Sequence, residues 1–261
     1  MNLKESIKNI IDSYKGDIAV VVKGLNFNLD LCINEQRIFS SASTIKLAIM
    51  YEVMTQVFEG KRKFKEKFIL RGIDKCSGDG ILKELIDGHL FTLEELTTLM
   101  IIASDNTATN MLIDKLGIVS INDMIYKLGA KNTKLQRKMM DVYAMDNGKD
   151  NITTAKDLSI ILEQIYNGKF LNDEYKNMMI DILKRQQIKD RLQLYLPEDV
   201  IIAHKTGTLK GLEHDVGIVY TPYGEYIICV LTENLSSNNE GREIIGKISK
   251  EIYDSVKLFN R

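Results

Sequence analysis

The chain has 261 residues, 44% hydrophobic and 27% charged, with 35 Lys and Arg against 36 Asp and Glu and a formal net charge of -1. That length holds one large domain or two lobes around a substantial core, and the composition is that of a folded globular chain rather than a disordered one. The charge balance leaves no footprint for nucleic acid or an anionic membrane, so neither is expected as a partner and the run Lys61-Arg62-Lys63 reads as a solvated turn.

Residues 3–14 place Ile7, Ile10, Ile11 and Tyr14 on one helical face, which predicts an opening surface helix. The β-branched run 18–22 and the run 29–33 flank turn residues 24–28 and predict a hairpin. Ser40-Ser41-Ala42 then leads into a helix carrying Ser43, whose apolar residues Leu47, Ala48, Ile49, Met50, Val53, Met54 and Val57 occupy nearly every side, as in a central buried helix. Thr92-Leu93-Glu94-Glu95 fits a capping box before the apolar run 96–103, and that helix stops at Ser104-Asp105-Asn106. A further helix covers about 107–116, with Gly117 as its C-terminal cap. Between 129 and 153 periodicity is lost and an irregular, functionally interesting loop is expected. Helices resume at Thr154, with Asp157 completing a second capping pattern, and run through the 178–183 region.

After Pro197 the pattern turns to strands at 200–204, 215–220 and 225–231, the last two joined by Thr221-Pro222-Tyr223-Gly224, and an amphipathic helix closes the chain with Ile244, Ile245, Ile248, Ile252 and Val256 on one face. The expected fold is mixed α/β (α+β): one antiparallel sheet formed by both chain ends, with an all-helical lobe inserted in it. The expected boundaries are 1–42 and 199–261 for the α/β lobe and 43–198 for the helical lobe, with the site in the cleft between them.

The three cysteines, Cys32, Cys76 and Cys229, are scattered and odd in number, which predicts buried free thiols rather than a disulfide framework. His89, His204 and His214 lack metal-site spacing, so no metal or other cofactor is expected. No apolar run approaches a membrane span, and the start Met1-Asn2-Leu3-Lys4-Glu5 is charged where a signal peptide needs an apolar segment. The chain as written is expected in the cytoplasm, or secreted if an export signal preceded this start, and as a monomer.

Ser43-Thr44-Ile45-Lys46 sets a hydroxyl and an amine one helical turn apart. A serine hydroxyl needs a base to become a nucleophile, a lysine with a lowered pKa can be that base, and first-turn N–H groups can hold an oxyanion. Two more short patterns follow in order, Ser104-Asp105-Asn106 and Lys205-Thr206-Gly207, the last expected on a strand. Together with Thr107-Ala108-Thr109-Asn110-Met111-Leu112 and the terminal helices, they make the chain resemble the class A β-lactamase family in its broad sense, which includes penicillin-binding proteins, over nearly its whole length.

The resemblance implies that Ser43 is acylated, that Lys46 accepts or relays its proton, and that Ser104 shuttles a proton to the departing amide nitrogen. It further implies that Asn106 binds a substrate side-chain amide, that Lys205 attracts a carboxylate and lowers neighbouring pKa values, and that Thr206 hydrogen-bonds that carboxylate. Gly207 would let the substrate lie against the strand edge, and the N–H groups of Ser43 and Thr208 would form the oxyanion hole.

Two positions depart from the family. Matching Arg137 and Thr153-Thr154 without gaps puts Met139 where the deacylating glutamate belongs and Tyr143 where an asparagine belongs. The nearest carboxylate is Asp141, a candidate base whose alternative reading is a salt bridge or loop cap. Where the family places a carboxylate-binding arginine the chain reads Glu213-His214-Asp215, which makes His214 the candidate positive charge, near its reference pKa of about 6.5, or a hydrogen-bonding strand histidine. Tyr175-Lys176-Asn177 resembles a motif of other serine acylases but sits in an ordinary helical pattern and is set aside. Three readings follow: a β-lactam-opening serine hydrolase, a DD-peptidase-like or esterase enzyme acting on another acyl substrate and slowly inhibited by β-lactams, and a β-lactam-binding domain that stays acylated.

Overall fold

The structure, a computed structural model, describes residues 2–259. Helix α1 (Leu3–Asp12) starts with Asn2, whose side chain accepts from the Lys4 N–H while Glu5 accepts from the Asn2 N–H. Strands β1 (Asp17–Gly24) and β2 (Asp30–Ile33) form the hairpin that residues 18–33 predict. After the short strand β3 (Phe39–Ser40) comes a 3-10 turn, Ala42–Ile45, and then α2 (Lys46–Phe58), buried from Lys46 to Gln56. Ser43 therefore lies in a tight turn ahead of the central helix rather than inside its first turn.

A small hairpin, β4 (Lys67–Ile69) with β5 (Leu90–Thr92), precedes α3 (Leu93–Ile102), where the Thr92–Glu95 capping box forms as read. Three-residue strands are too short to show alternation, so sequence gives no sign of this pair. Helices α4 (Asn106–Leu116) and α5 (Ile118–Leu128) follow. The stretch 129–154 is not irregular throughout. It holds the short helix α6 (Val142–Asp146) and a two-residue strand β6 (Ile152–Thr153) paired with β3.

Helix α7 (Ala155–Asn167) takes a one-way cap: Thr154 Oγ1 accepts from the Asp157 N–H at 3.0 Å. The Asp157 carboxylate instead accepts from the Asn132 N–H at 2.6 Å and from Thr133 Oγ1 at 3.0 Å, because it pins the loop after α5. Helix α8 (Asp173–Lys184) precedes β7 (Ile201–Leu209), β8 (Leu212–Thr221), β9 (Gly224–Glu233) and the closing helix α9 (Asn238–Phe259).

The main sheet runs β2-β1-β9-β8-β7 and its strand pairs are antiparallel. Period-two alternation divides its side chains between two cores. Ala19, Val21, Ile227, Cys229 and Leu231 face the core shared with α2 and its neighbouring helices. Val20, Val22, Ile228 and Val230 face α1 and α9, against Ile7, Ile244, Ile245 and Ile248. A sheet covered on both faces explains the near-continuous apolar strands. Of the free cysteines only Cys229 is buried, Cys32 and Cys76 being half-buried. Among the described residues no helix is long and apolar enough to cross a membrane.

The topology makes β7 an edge strand, and the turn carrying Ser43 packs against that edge. Ile49, inaccessible in the middle of α2, belongs to the core between the sheet and the helices. Ile49→Ala is expected to lower unfolding free energy by about 2–5 kcal/mol, whereas Ile73→Ala, 87% exposed, is expected to stay within about 0.5 kcal/mol; urea denaturation of both variants checks the contrast.

Candidate active site

Ser43 is 8% exposed at the floor of a cleft of about 260 Å³. The residue before it, Ala42, is held at φ +44, a left-handed conformation that non-glycine residues seldom adopt. Gly207 makes the close approach of β7 possible. A Cβ there would stand 3.2 Å from Ala42 Cβ and 3.3 Å from the Ser43 nitrogen, so only a bare backbone brings the strand this near the turn.

Lys46 is fully buried. Its Nζ donates to Ser104 O at 2.8 Å, Ser104 Oγ at 3.1 Å and Asn106 Oδ1 at 2.9 Å. Burial disfavours its charge, the carboxylates of Asp79 and Asp105 favour it, and the balance brings the pKa down to about 7. Ser43 Oγ has no hydrogen-bond partner among the described residues, and catalytic contacts of this kind commonly tighten only with substrate bound.

Ser104 is the meeting point of two amines. Lys205 Nζ, also fully buried, donates to the same Ser104 Oγ at 3.1 Å and to Thr206 O at 2.8 Å. Burial, then the nearby charges of Lys46 and Arg191, push the Lys205 pKa well below its ordinary value. Ser104 reaches this position at φ +52. Asp105 holds it there as the N-cap of α4, its carboxylate accepting from the N–H groups of Ala108, Ile81 and Leu82 at 2.6–2.8 Å. Asn106 presents Oδ1 to Lys46 and Nδ2 to Ser77 O at 3.1 Å.

Thr208 lines the cleft, and its hydroxyl accepts from Arg191 Nη2 at 2.5 Å and donates to Glu213 Oε2 at 3.1 Å. Arg191, 2% exposed, also donates through Nε to Glu213 Oε2 at 2.6 Å and through Nη1 to Asp190 Oδ1 at 2.7 Å. Sequence reading missed Arg191. The available signal was Glu213, a carboxylate next to the apolar run 216–219, which requires a cationic partner when buried.

His214 does not supply the positive charge. Its Nδ1 lies 2.8 Å from Glu213 O and its Nε2 2.8 Å from Ser40 O, its ring is edge-on to Phe39, and burial lowers its pKa to about 4. It is the hydrogen-bonding strand histidine of the alternative reading, neutral at pH 7, while the buried cation beside Thr208 is Arg191. Tyr175 packs against Phe58 and Phe64, away from the cleft, as the sequence pattern implied.

The loop over the cleft is held at its base by the Arg137–Asp150 ion pair, 2.7 Å between Arg137 Nη2 and Asp150 Oδ1. Asn110 clamps the main chain of Met139 by accepting from its N–H at 2.8 Å and donating to its carbonyl at 3.1 Å, and Cys76 Sγ donates to that carbonyl at 3.3 Å. Met139, 7% exposed and packed in the core, is among the residues lining the cleft. Asp141 also lines it, but its carboxylate accepts from the Ala144 N–H at 3.0 Å as the N-cap of α6, which is the loop-cap reading of this residue.

The model of the family described as "Beta-lactamase enzyme family" matches residues 2–256. The chain is 27% identical over 232 residues to β-lactamase BRO-1 of Moraxella catarrhalis, covering 82% of this chain and 72% of that one. A β-lactamase from Sphaerobacter thermophilus superimposes with a TM-score of 0.89 at 32% identity, over 98% of this chain and 97% of the other. The structure of PBP-A superimposes with a TM-score of 0.91 at 26% identity, over 99% and 97%. With the serine turn, the shared hydroxyl of Ser104 and the edge strand of Lys205 already in place, these matches mean that the chain belongs to the β-lactamase enzyme family.

Proposed function

We propose that this protein is a serine hydrolase that opens the β-lactam amide through an acyl-enzyme on Ser43. The observation that carries the reading is Lys46: a buried amine with a pKa of about 7, one turn from Ser43 and bonded to the hydroxyl that Lys205 also holds. A neutral Lys46 has a lone pair to take the Ser43 Oγ proton as Oγ attacks the carbonyl carbon. The N–H groups of Ser43 and Thr208 receive the oxyanion, each such donor contributing about 3–4 kcal/mol at the transition state. When the C–N bond breaks, the nitrogen takes the Ser104 hydroxyl proton, and Lys46 returns its acquired proton to Ser104 Oγ. The serine proton has then reached the leaving nitrogen and both relay groups are restored.

Lys205 and Thr206 on the edge strand suit a substrate carboxylate, with Arg191 adding positive charge behind Thr208. Gly207 keeps that edge open, and Asn106 suits a side-chain amide. A monomeric enzyme is part of this proposal.

A second reading, a penicillin-binding protein that is acylated and turns over slowly, is favoured by one observation. Met139 puts a thioether where the family's deacylating glutamate belongs, and Asp141 is occupied as a helix cap. A structure similar to this chain, at 26% identity and a TM-score of 0.91, is an acyl-enzyme complex of a PBP-A variant with penicillin-G. Without a general base, deacylation is expected to be slower by about 10²–10⁴.

Intact-mass spectrometry after mixing with a penicillin should show an adduct of one penicillin per chain, absent in Ser43→Ala; a folded protein showing neither adduct nor turnover overturns the proposal. Because Lys46 must be neutral to act, the acylation rate should fall about tenfold per pH unit below about 7 and level off above it. Stopped-flow measurement across pH 5–9, a range set by the reference behaviour of such groups, reads this directly, and a flat profile removes Lys46 as the base. Met139→Glu should accelerate decay of the adduct by on the order of 10², followed by mass spectrometry over time.

A further inference from the structure

A water molecule can release the acyl group from Ser43 only if some group takes its proton. Two carboxylates line the cleft with Ser43, those of Asp79 and Asp141. Asp141 is occupied as the cap of α6. The Asp79 carboxylate forms no hydrogen bond or ion pair with the described residues, and the residue is exposed, so its lone pairs are open to water.

The backbone around Asp79 holds it at this wall. Asp79 stands between Gly78 at φ +82 and Gly80 at φ +114. A Cβ at 78 would come within 2.7 Å of Asn106 Nδ2, and one at 80 would run into the Asp105 carboxylate, so the loop lies this close to residues 105 and 106 only as bare backbone. Asp79 O accepts from the Asn106 N–H at 3.0 Å, Ser77 O accepts from Asn106 Nδ2 at 3.1 Å, and the Cys76 N–H donates to Thr107 Oγ1 at 3.0 Å. Beyond Gly80, the Ile81 and Leu82 N–H groups donate to Asp105. The main chain at 79 is thus pinned on both sides to the segment that presents Ser104 and Asn106, while the side chain is left free.

The carboxylate also stands near the amines. Burial acts most on the charge of Lys46, and next comes Asp79, ahead of Asp105; Asp79 acts on Lys205 as well. Because the attraction between charges falls with distance, this brings the carboxylate within range of the Lys46 amine.

Building on the acyl-enzyme reading above, we propose that Asp79 is a catalytic residue, the base that takes a proton from the water hydrolysing the Ser43 ester. The water oxygen bonds to the ester carbonyl carbon as its proton passes to the Asp79 carboxylate, and the oxyanion rests on the N–H groups of Ser43 and Thr208. The proton moves on from Asp79 to the neutral Lys46 amine. Lys46 delivers it to Ser43 Oγ as the C–Oγ bond breaks, which leaves the free acid and returns each side chain to its starting state. A carboxylate on the loop 77–80 thereby fills the role for which residue 139 offers a thioether.

Hydrolysis of the penicillin adduct, followed by intact-mass spectrometry and by steady-state turnover, tests the assignment in Asp79→Asn and Asp79→Glu. Asp79→Asn should still take up one penicillin per chain, and its adduct should hydrolyse about 10² more slowly than that of the unaltered protein. Asp79→Glu, which keeps the carboxylate, should recover a large part of the rate. Hydroxylamine attacks an ester without a base, so adding it should bring the decay of all three adducts to within about threefold of one another; a loss caused by a disturbed site would persist. Equal hydrolysis in Asp79→Asn and the unaltered protein, a difference that hydroxylamine leaves in place, or an adduct of the unaltered protein that never hydrolyses overturns the assignment of Asp79 and leaves the acyl-enzyme reading standing. Neither adduct nor turnover in the unaltered protein overturns that reading and this assignment with it.

Discussion

Two lysine amines are buried within reach of one serine hydroxyl, and the rest of the site is arranged around that fact. Burying an ammonium costs several kcal/mol unless it is paired or gives up its proton. Here Lys46 and Lys205 also repel one another, since each faces Ser104 Oγ at 3.1 Å. Lys46 has Asp79 and Asp105 to favour its charge, and its pKa comes to rest at about 7; Lys205 is pushed well below its ordinary value by burial and then by the charges of Lys46 and Arg191. On the proposed mechanism, an amine with a pKa of about 7 is what proton transfer from Ser43 requires. Besides the shared Ser104 Oγ, Ser104 O and Asn106 Oδ1 accept from Lys46 and Thr206 O accepts from Lys205.

That arrangement needs three segments, distant in sequence, to meet within hydrogen-bonding distance. Asp105 fixes the middle one by binding N–H groups on both sides, Ala108 in its own helix and Ile81 and Leu82 across the gap, which steadies Ser104 in a conformation it would otherwise avoid. The third segment is held from behind. Glu213 stands opposite Thr208 in register and accepts from Arg191, Arg242, Asn238 and Thr208, tying the edge strand to the start of α9 and to the residues before β7. His204 and Asp215 repeat the device further along, Asp215 accepting from the Leu192 N–H and contacting His204 Nδ1. The buried charge in this region therefore serves the position of Arg191 and the edge strand, a use of buried ion pairs better attested than added stability.

The parts legible in the sequence were those written in periodicity and in short motifs with one physical meaning. The buried α2 run, the Thr92 capping box, the strands after Pro197 and the three motif segments are each local, and their residues carry the signal themselves. What was not legible depended on contacts between distant segments. Asp157 has the spacing of a capping residue, but a carboxylate follows its best donors, and these lie on the loop after α5. His214 stands in the segment where the resemblance implies an arginine, but a side chain on a strand between two covered faces is desolvated unless it reaches an edge. Arg191 could be paired with Glu213 only once the fold had brought positions 22 residues apart together.

The loop that bears Met139 shows why fold and turnover separate in this chain. Its shape is held by the Arg137–Asp150 pair, by Asn151 binding main-chain groups at 136 and 137, and by Asn110 and Cys76 binding the main chain at 139. None of these bonds uses the side chain at 139, which instead packs, 7% exposed, in the core of the helical side. A methionine there preserves the cleft, the Ser43 turn and the Lys46 relay, and removes only a carboxylate at that place. In the mechanism proposed above, acylation draws on Lys46 and Ser104 while deacylation needs a base for water, so the two rest on different parts of the structure. On the proposed mechanism residue 139 bears on the second and not on the first, and this makes a hydrolase and a long-lived acyl-enzyme two outcomes of one scaffold.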